Sequence, residues 1–229
     1  MNEIVLVCSG STDETNENRL VGWKDIPLSL QGIAESREAG KLLREGGYVF
    51  DLAFTSVLTR GIQSLWYILD EMNLHWLKVN KNWRLNGRYY GQLEGMSESQ
   101  IIEVYGAEQW KRWMNDYKAF VPKVEIEDPQ HPSHDQRYYD LIPEELPQGE
   151  NLVETFSRVF PHWENKIKPM VAIDRKVLVV GHHNSIRALM SMMENLPIEA
   201  VVEREITRGV PMIYTLNDDL TFLSSRKLV

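Results

Sequence analysis

The sequence predicts an α/β protein, a three-layer sandwich in which helices cover both faces of a mostly parallel sheet. Two apolar runs, residues 4–7 and 176–180, have the continuous hydrophobicity of strands that are buried on both faces. Strand-like and helix-like segments alternate between these runs, which indicates a parallel sheet. The 229 residues suit one domain with a single core, and we predict one domain over residues 1–229.

Composition narrows the classes of function. The chain has 25 basic and 33 acidic side chains and a formal charge of −8, which argues against nucleic acid or an anionic membrane as partner. The single cysteine, Cys8, has no second cysteine for an internal disulfide, and the first residues lack the pattern of a signal peptide. No run of about 18 apolar residues occurs. We therefore expect a cytoplasmic protein.

The first strand ends in a turn that should carry any chemistry the protein has. Residues 3–12, EIVLVCSGST, begin as an apolar strand and end in small polar residues. In open α/β sheets the ligand crevice lies at the carboxyl ends of the strands. The turn offers hydroxyl groups and one thiol, and it carries no charge.

The first half of the chain continues as alternating elements. Residues 13–28 are polar and contain Gly22 and Pro27, which indicates a loop. Ser29 is a suitable cap for a helix over 30–45, with glycines at 46 and 47 as its stop. Strands are predicted at 50–55 and 77–79. Between these strands a helical stripe is formed by Leu58, Ile62, Leu65, Leu69 and Met72. An irregular loop rich in arginine and tyrosine follows at 82–95.

The second half is interrupted by a proline-rich segment. Helices are predicted at 97–105 and 108–116, and five of the ten prolines then fall between positions 122 and 147. We interpret residues 117–149 as an insertion that covers the crevice; a solvated surface loop is the alternative. Later elements are expected as a helix over 152–167 kinked at Pro161, a strand at 176–180, a helix from near Ser185, helical turns at 197–204 and a strand at 212–216.

Ser9 and His182 occupy equivalent places after the two apolar strands. If these strands are neighbours, Ser9 lies near His182, and a serine beside a histidine raises nucleophilic catalysis. That chemistry also needs an orienting third group. The alternative is that His182 is a structural hydrogen-bonding residue. No sequence feature assigns a function to the neighbouring His183.

Longer segments resemble a known family. The sequence is similar to the cofactor-dependent phosphoglycerate mutases of the histidine phosphatase superfamily along nearly its whole length, in the segments ENRLVGWKDIPLSLQG, FTSVLTRGIQSLWYILDEM, NWRLNGRYYGQLEG, HPSHDQRYYDL, PEELP and HHNSIRALM. The resemblance implies an α/β fold, a dimer or tetramer and a cytoplasmic setting. It also implies interconversion of 3- and 2-phosphoglycerate through a phosphohistidine primed by 2,3-bisphosphoglycerate.

The opening motif departs from this family. The family has R-H-G-E, in which the histidine attacks phosphorus and the arginine holds the phosphoryl oxygens; this chain has Cys8, Ser9, Gly10 and Ser11. A phosphorylated imidazole passes its phosphate on, whereas a serine phosphate is a far more inert ester. Neither cysteine nor serine replaces the bidentate guanidinium.

Further departures affect acid–base chemistry and anion binding. The family's proton-transferring glutamate falls at Gly87. Two substrate-binding arginines fall at Met114 and Asn115, and a lysine of the same pocket falls at Glu98. These changes remove net positive charge from the position where an anionic substrate would be held.

Other family positions are retained. Those that the resemblance assigns to the site are Arg19, Gly22, Arg60, Arg88, Tyr90, His182 and Asn184. They are sufficient for one small anion, or they persist only as buried hydrogen-bonding residues. Arg208 stands where the family has a small residue. We interpret Arg208 as exposed, with a replacement cation as the alternative.

We therefore predict a phosphoglycerate mutase-like pseudoenzyme with a binding or regulatory role and no cofactor of its own. Its partner would be a small anion or phosphorylated ligand, and it would form a homo-oligomer or a hetero-oligomer with an active mutase. One alternative is a functional mutase that uses 2,3-bisphosphoglycerate. The other is a phosphatase with Cys8 or Ser9 as nucleophile and His182 as base.

Overall fold

A six-stranded sheet forms the centre of the protein. The computed structural model describes the backbone of residues 1–229 and every side chain except that of Asn16. The strands are β1 (Asn2–Cys8), β2 (Leu52–Thr55), β3 (Lys78–Lys81), β4 (Val177–Gly181), β5 (Met212–Leu216) and β6 (Phe222–Lys227). They lie in the order β3-β2-β4-β1-β5-β6. The first four in this order are parallel, and β5 and β6 are antiparallel.

Helices cover both faces of this sheet. They are α1 (Asp13–Asn16), α2 (Leu30–Glu45), α3 (Thr59–Glu71), α4 (Glu98–Tyr105), α5 (Ala107–Asn115), α6 (Leu152–His162), α7 (Lys168–Ala172), α8 (His183–Glu194) and α9 (Ile198–Val202). Val5 and Val7 of β1 pack with α2 and α3, whereas Ile4 and Leu6 pack with α6, α7 and α8. Alternate residues of one strand thus enter two cores, which confirms the predicted three-layer α/β fold. Among the described residues no helix is both long and apolar enough to cross a bilayer.

The two apolar strands are direct neighbours, as predicted. β1 and β4 pair in parallel from Ile4 opposite Val177 to Cys8 opposite Gly181. The backbone N–H of Ser9 continues this ladder by donating to the Gly181 carbonyl at 2.8 Å. The carboxyl ends of both strands therefore meet at one edge of the sheet.

Two elements were not expected from the sequence. Residues 13–28, predicted to be a loop, begin with the single-turn helix α1, in which Thr12 and Thr15 form a reciprocal cap. Strand β6 is exposed at every residue and lies at the sheet edge, so FLSSRK lacks the apolar run that marks β1 and β4. A short helix and an exposed edge strand leave little hydrophobic pattern.

Two predicted helix features can be compared with the structure. α8 begins at His183, near Ser185 as predicted; His182 is its N-cap, and the His182 backbone N–H donates to Ser185 Oγ at 3.0 Å. α6 contains Pro161, and a π-helix over Trp163–Ile167 follows it directly. The irregularity expected at Pro161 is thus a widened helical turn.

The proline-rich insertion packs against the domain. Its only described helical pieces are three-residue 3₁₀ turns at Pro132–His134, Gln136–Tyr138 and Pro143–Glu145, in agreement with the prediction that no regular helix or central strand forms here. Five of its apolar side chains are nevertheless buried: Ala119, Val121, Val124, Tyr138 and Leu146. The segment is therefore more than a solvated surface loop.

Candidate functional site

A cavity of about 140 Å³ lies near the carboxyl ends of β1 and β4, and we call it the arginine cavity. Eight predicted site residues line it: Arg19, Gly22, Arg60, Gly87, Arg88, Tyr90, His182 and Asn184. Arg208 completes a set of four lining arginines, and none of the described lining residues is acidic. The electrostatics of this cavity therefore favour an anion.

The other five predicted site residues lie outside this described lining. Cys8 and Ser9 are fully buried, so neither is open to a ligand in this conformation. Glu98, Met114 and Asn115 are exposed on α4 and α5. The structure thus separates the positions that the resemblance groups as one anion-binding pocket.

His182 is held between two serine hydroxyl groups. Its Nδ1 lies 3.3 Å from Ser9 Oγ, which confirms the predicted proximity, and its Nε2 lies 2.8 Å from Ser56 Oγ. Burial, followed by the charges of Arg60 and Arg208, lowers the pKa of His182 well below its usual range. The group that orients His182 opposite Ser9 is thus the neutral hydroxyl of Ser56. Unlike the carboxylate of a Ser-His-Asp triad, this hydroxyl has no negative charge to stabilise a protonated imidazole.

The Cys8 thiol is unsuited to nucleophilic chemistry. Burial raises its pKa to about 11, and the nearby charges of Arg208, Arg187 and Arg60 only partly offset this effect. The reactive form of cysteine is the thiolate, which is scarce at neutral pH for such a group.

We expect Cys8 to resist iodoacetamide in the folded protein at pH 8 and to react fully after unfolding in guanidinium chloride, because the folded thiol is both inaccessible and protonated. Mass spectrometry of the intact chain measures the extent of labelling. Rapid, complete labelling of the folded protein would contradict this description of the thiol.

Glu35 on α2 supplies a carboxylate to the turn after β1. Its Oε2 accepts a hydrogen bond from the Ser11 backbone N–H at 2.8 Å, and its Oε1 accepts one from Ser11 Oγ at 2.9 Å. Sequence reasoning missed this residue because 24 positions separate it from Ser11. The Glu35 carboxylate contacts Ser11, the position at which the resemblance implies a glutamate, and its charge opposes an anion at the turn.

Two of the four arginines are occupied by backbone carbonyl groups. Arg60 donates to Gly22 at 2.6 Å and to Lys24 at 2.9 Å, and burial lowers its pKa to about 10. Arg88 donates to the Glu150 carbonyl at 2.7 Å. Both residues therefore have the structural role that the sequence left as an alternative, although each also lines the cavity.

Arg208 offers more of its donors to the cavity. The sequence interpretation of Arg208 as exposed was wrong: it is half-buried and lines the arginine cavity. Its only hydrogen bond to a described residue is a long one, 3.5 Å, to the Ser9 carbonyl. The N–H of Gly209 donates to the Cys8 carbonyl at 3.0 Å and fixes this loop beside β1. This contact between Gly209 and Cys8 brings Arg208 to the site. No local sequence pattern predicts the contact.

Gly87 lies next to His182 and has room for a Cβ atom. A Cβ atom built at Gly87 would lie 3.5 Å from His182 Cβ and 3.8 Å from the Gly22 carbonyl oxygen, which are ordinary contacts. The position therefore accommodates a Cβ atom in the present backbone. Without a side chain, Gly87 offers neither an acid nor a base.

Arg158, which sequence reasoning also missed, holds the Gly87 segment in place. It is buried, donates to the Gly87 carbonyl at 2.8 Å and to the Arg84 carbonyl at 2.7 Å, and pairs with buried Glu150 at 2.6 Å. The guanidinium lies 5.2 Å from the Trp23 ring centroid. One residue of α6 thus fixes the loop that lines the arginine cavity.

Four histidines with lowered pKa, His131, His162, His182 and His183, should make the fold sensitive to acid. Burial lowers the pKa of His162 and His183 to about 4, and it also lowers the pKa of His182 well below its usual range. The unfolded chain takes up protons below about pH 6.5, whereas the folded chain does not. Stability should therefore fall as the pH decreases from about 6.5 to 4, by about 1.4 kcal/mol per pH unit for each such histidine.

Denaturant titrations between pH 7 and 4 measure this slope. His162→Phe should make this pH dependence shallower, because the variant lacks one of the histidines of lowered pKa. In the wild type His162 packs edge-on against Phe54. His75→Gln is the control, since the His75 side chain is 69% exposed. A stability that is constant between pH 6.5 and 5 would contradict the prediction.

Comparisons with known proteins agree with this architecture. The chain is 20% identical to an α-ribazole phosphatase from Shigella flexneri, with a TM-score of 0.73 over 99% of this chain and 95% of that one. It is likewise 20% identical to a mycobacterial glucosyl-3-phosphoglycerate phosphatase, with a TM-score of 0.71 over 100% and 98% of the two chains. The sequence profile of the histidine phosphatase superfamily, branch 1, matches residues 4–131. This chain therefore belongs to the histidine phosphatase superfamily.

Proposed function

We propose that this protein is a phosphoglycerate mutase-like pseudoenzyme that binds a small anion or a phosphorylated ligand in the arginine cavity. One combination of features carries the proposal. Four arginines line the cavity, while the family's nucleophile position holds the buried Ser9 and its proton-transfer position holds Gly87. Binding and reaction are thus separated: the cavity attracts an anion, but a buried serine stands at the position of the family's nucleophile.

Loss of phosphoryl transfer is supported by several independent features. Ser9 has no exposed surface, and burial lowers the pKa of its neighbour His182, which makes that imidazole a weaker base. Gly87 supplies no proton donor, and removal of such a group typically lowers rates about 10²- to 10⁴-fold. The Glu35 carboxylate on Ser11 adds electrostatic repulsion at the turn.

Retention of anion binding is supported by the cavity itself. Its volume of about 140 Å³ suits one small tetrahedral group better than a large substrate. Arg208 has the donors to contact such a group, while the fixed guanidinium groups of Arg60 and Arg88 add positive charge at the same cavity.

One observation favours a second function, a phosphatase with a substituted nucleophile: Ser9 Oγ lies 3.3 Å from His182 Nδ1. Attack by Ser9 would require the turn to open, because the side chain is fully buried. Cys8 is weaker still as a nucleophile, since burial raises its pKa to about 11. A mutase primed by 2,3-bisphosphoglycerate would meet the same deficiencies.

We predict that inorganic phosphate binds the wild-type protein saturably and that Arg208→Gln weakens binding by about 10- to 100-fold, the effect of losing hydrogen bonds to a charged group. Calorimetric titration measures both affinities. Phosphate and VO₃ are suitable probes because the mycobacterial phosphatase has been solved with each of them.

Arg112→Gln is the matched control for this titration. Arg112 is an exposed arginine of α5 that pairs only loosely with Asp116, at 4.0 Å. The proposal fails if phosphate does not bind the wild type, or if the Arg208 and Arg112 variants bind it equally well.

The proposal also covers setting and assembly. We place the protein in the cytoplasm, a setting consistent with its single free thiol. In a regulatory role, the protein would form a homo-oligomer or a hetero-oligomer with an active mutase. Light scattering of the protein alone, and then mixed with an active phosphoglycerate mutase, tests these assemblies by mass.

A further inference from the structure

A second and larger cavity, about 710 Å³ in volume, lies between the proline-rich insertion and the loops around Trp23 and Glu94. We call it the insertion cavity. Its lining includes Trp23, Lys24, Glu94, His131, Arg137 and Tyr138. Its described lining shares no residue with that of the arginine cavity. The inference drawn from it does not depend on the proposed loss of phosphoryl transfer.

His131 brings an unpaired hydrogen-bond donor to this cavity. The residue is 1% exposed, and its Nδ1 accepts a hydrogen bond from the Ser133 backbone N–H at 3.2 Å. Burial lowers the pKa of His131, so the neutral ring carries its proton on Nε2. No described residue accepts from that Nε2. A buried donor without a partner is destabilising, and a ligand oxygen would relieve this.

Most charged side chains around the cavity are held in ion pairs, and the exception, Glu94, accepts the Trp23 backbone N–H at 2.6 Å and has its pKa raised to about 8 by burial. Arg137 pairs with Asp25 at 3.0 Å and also with Asp135, while Lys24 pairs with Glu14 at 2.9 Å. A charged ligand would have to break these pairs or enter beside a like charge. The lining contains both hydrogen-bond donors and acceptors, which suits groups that both donate and accept hydrogen bonds.

Aromatic side chains form the base of the insertion cavity. Trp23 lies between Tyr89 and Tyr138, with ring centroid distances of 5.4 Å and 5.3 Å. These three rings line the cavity together with the polar groups. Aromatic carbon surface beside paired donors and acceptors matches a molecule that has both C–H faces and hydroxyl groups.

We propose that the insertion cavity binds a neutral polyhydroxylated molecule of mono- to disaccharide size, with His131 Nε2 donating to one of its oxygens. Other hydroxyl groups of the molecule would donate to acceptors of the lining and accept from its donors. The volume lies within the range of small-molecule sites, about 300–1,000 Å³.

The test is a ligand-observed NMR titration with glucose and maltose as probes, and with glucosamine and glucose 6-phosphate as charged comparators. We expect saturable binding of at least one neutral sugar, and weaker binding of both charged sugars. His131→Phe should weaken the neutral sugar by about tenfold or more, the effect of one buried hydrogen bond.

Two further variants make the result interpretable. Gln130→Trp adds bulk at an exposed lining position and should abolish binding even if His131→Phe disturbs the local turn. His162→Phe is the matched control, because His162 is also buried with an unpaired Nε2 but lies on α6, outside the insertion cavity. The proposal is overturned if neither neutral sugar binds saturably, if a charged sugar binds more tightly, or if binding survives both cavity variants.

Discussion

Replacement of Arg158 by methionine is expected to lower the free energy of unfolding by about 3–5 kcal/mol, because it leaves the buried carboxylate of Glu150 without its partner. The ion pair is 2.6 Å long, and its two side chains are only 5% and 2% exposed. The substitution also removes the donors to the Gly87 and Arg84 carbonyl groups. Unpaired buried charges and carbonyl groups are both costly.

Chemical denaturation of the wild type and the variant measures this effect. Arg175→Met is the control, since Arg175 pairs with Asp51 at 3.3 Å on the surface and such pairs contribute about 0–1 kcal/mol. Adding Glu150→Gln to Arg158→Met should recover part of the loss by removing the buried charge. A loss below about 1 kcal/mol in Arg158→Met would show that Arg158 does not hold this loop.

The double variant Ser9→His with Gly87→Glu is expected to gain acid-labile phosphorylation and to hydrolyse a phosphomonoester about 10²- to 10⁴-fold faster than the background rate of a wild-type preparation. Gly87 accommodates a side chain next to His182, as its contacts of 3.5 Å and 3.8 Å show. The new histidine would lie against His182, where Ser9 Oγ is now 3.3 Å away. The two substitutions thus restore a nucleophile and an acid.

Ser9→Asn with Gly87→Gln is the matched control, because it introduces polar side chains that can neither accept phosphate nor transfer a proton. Circular dichroism of both double variants shows whether the fold tolerates a larger residue at the buried position 9. If both fold and the histidine variant is no faster than the control, these two positions are not the missing catalytic groups.

The central sheet was predictable because its inner strands carry a continuous apolar pattern. The apolar runs of β1 and β4 have the pattern of strands that are buried on both faces. The pairing of these two strands brings Ser9 beside His182. By contrast, the exposed β6 and the single turn of α1 lack such a pattern. Short helices and edge strands form through tertiary contacts that a local pattern does not contain.

The site was only partly predictable, for a similar reason. Retained family positions located most of the arginine cavity. The sequence did not reveal that Glu35 contacts Ser11, that Arg158 fixes the Gly87 segment or that Arg208 turns inward. Each of these contacts joins residues far apart in the chain. Reactivity was likewise undecided until burial of the Cys8 thiol and of His182 was known.

The most direct test of the pseudoenzyme proposal is an assay of 3-phosphoglycerate to 2-phosphoglycerate conversion by the purified protein with 2,3-bisphosphoglycerate present, repeated with phosphate release as a second readout. His182→Ala and Arg60→Ala variants, purified identically, reveal any contaminating enzyme. We predict no turnover, or a trace that is equal in all three proteins. Robust turnover that falls sharply in His182→Ala would contradict the proposal and would mean that the site supplies a nucleophile after all.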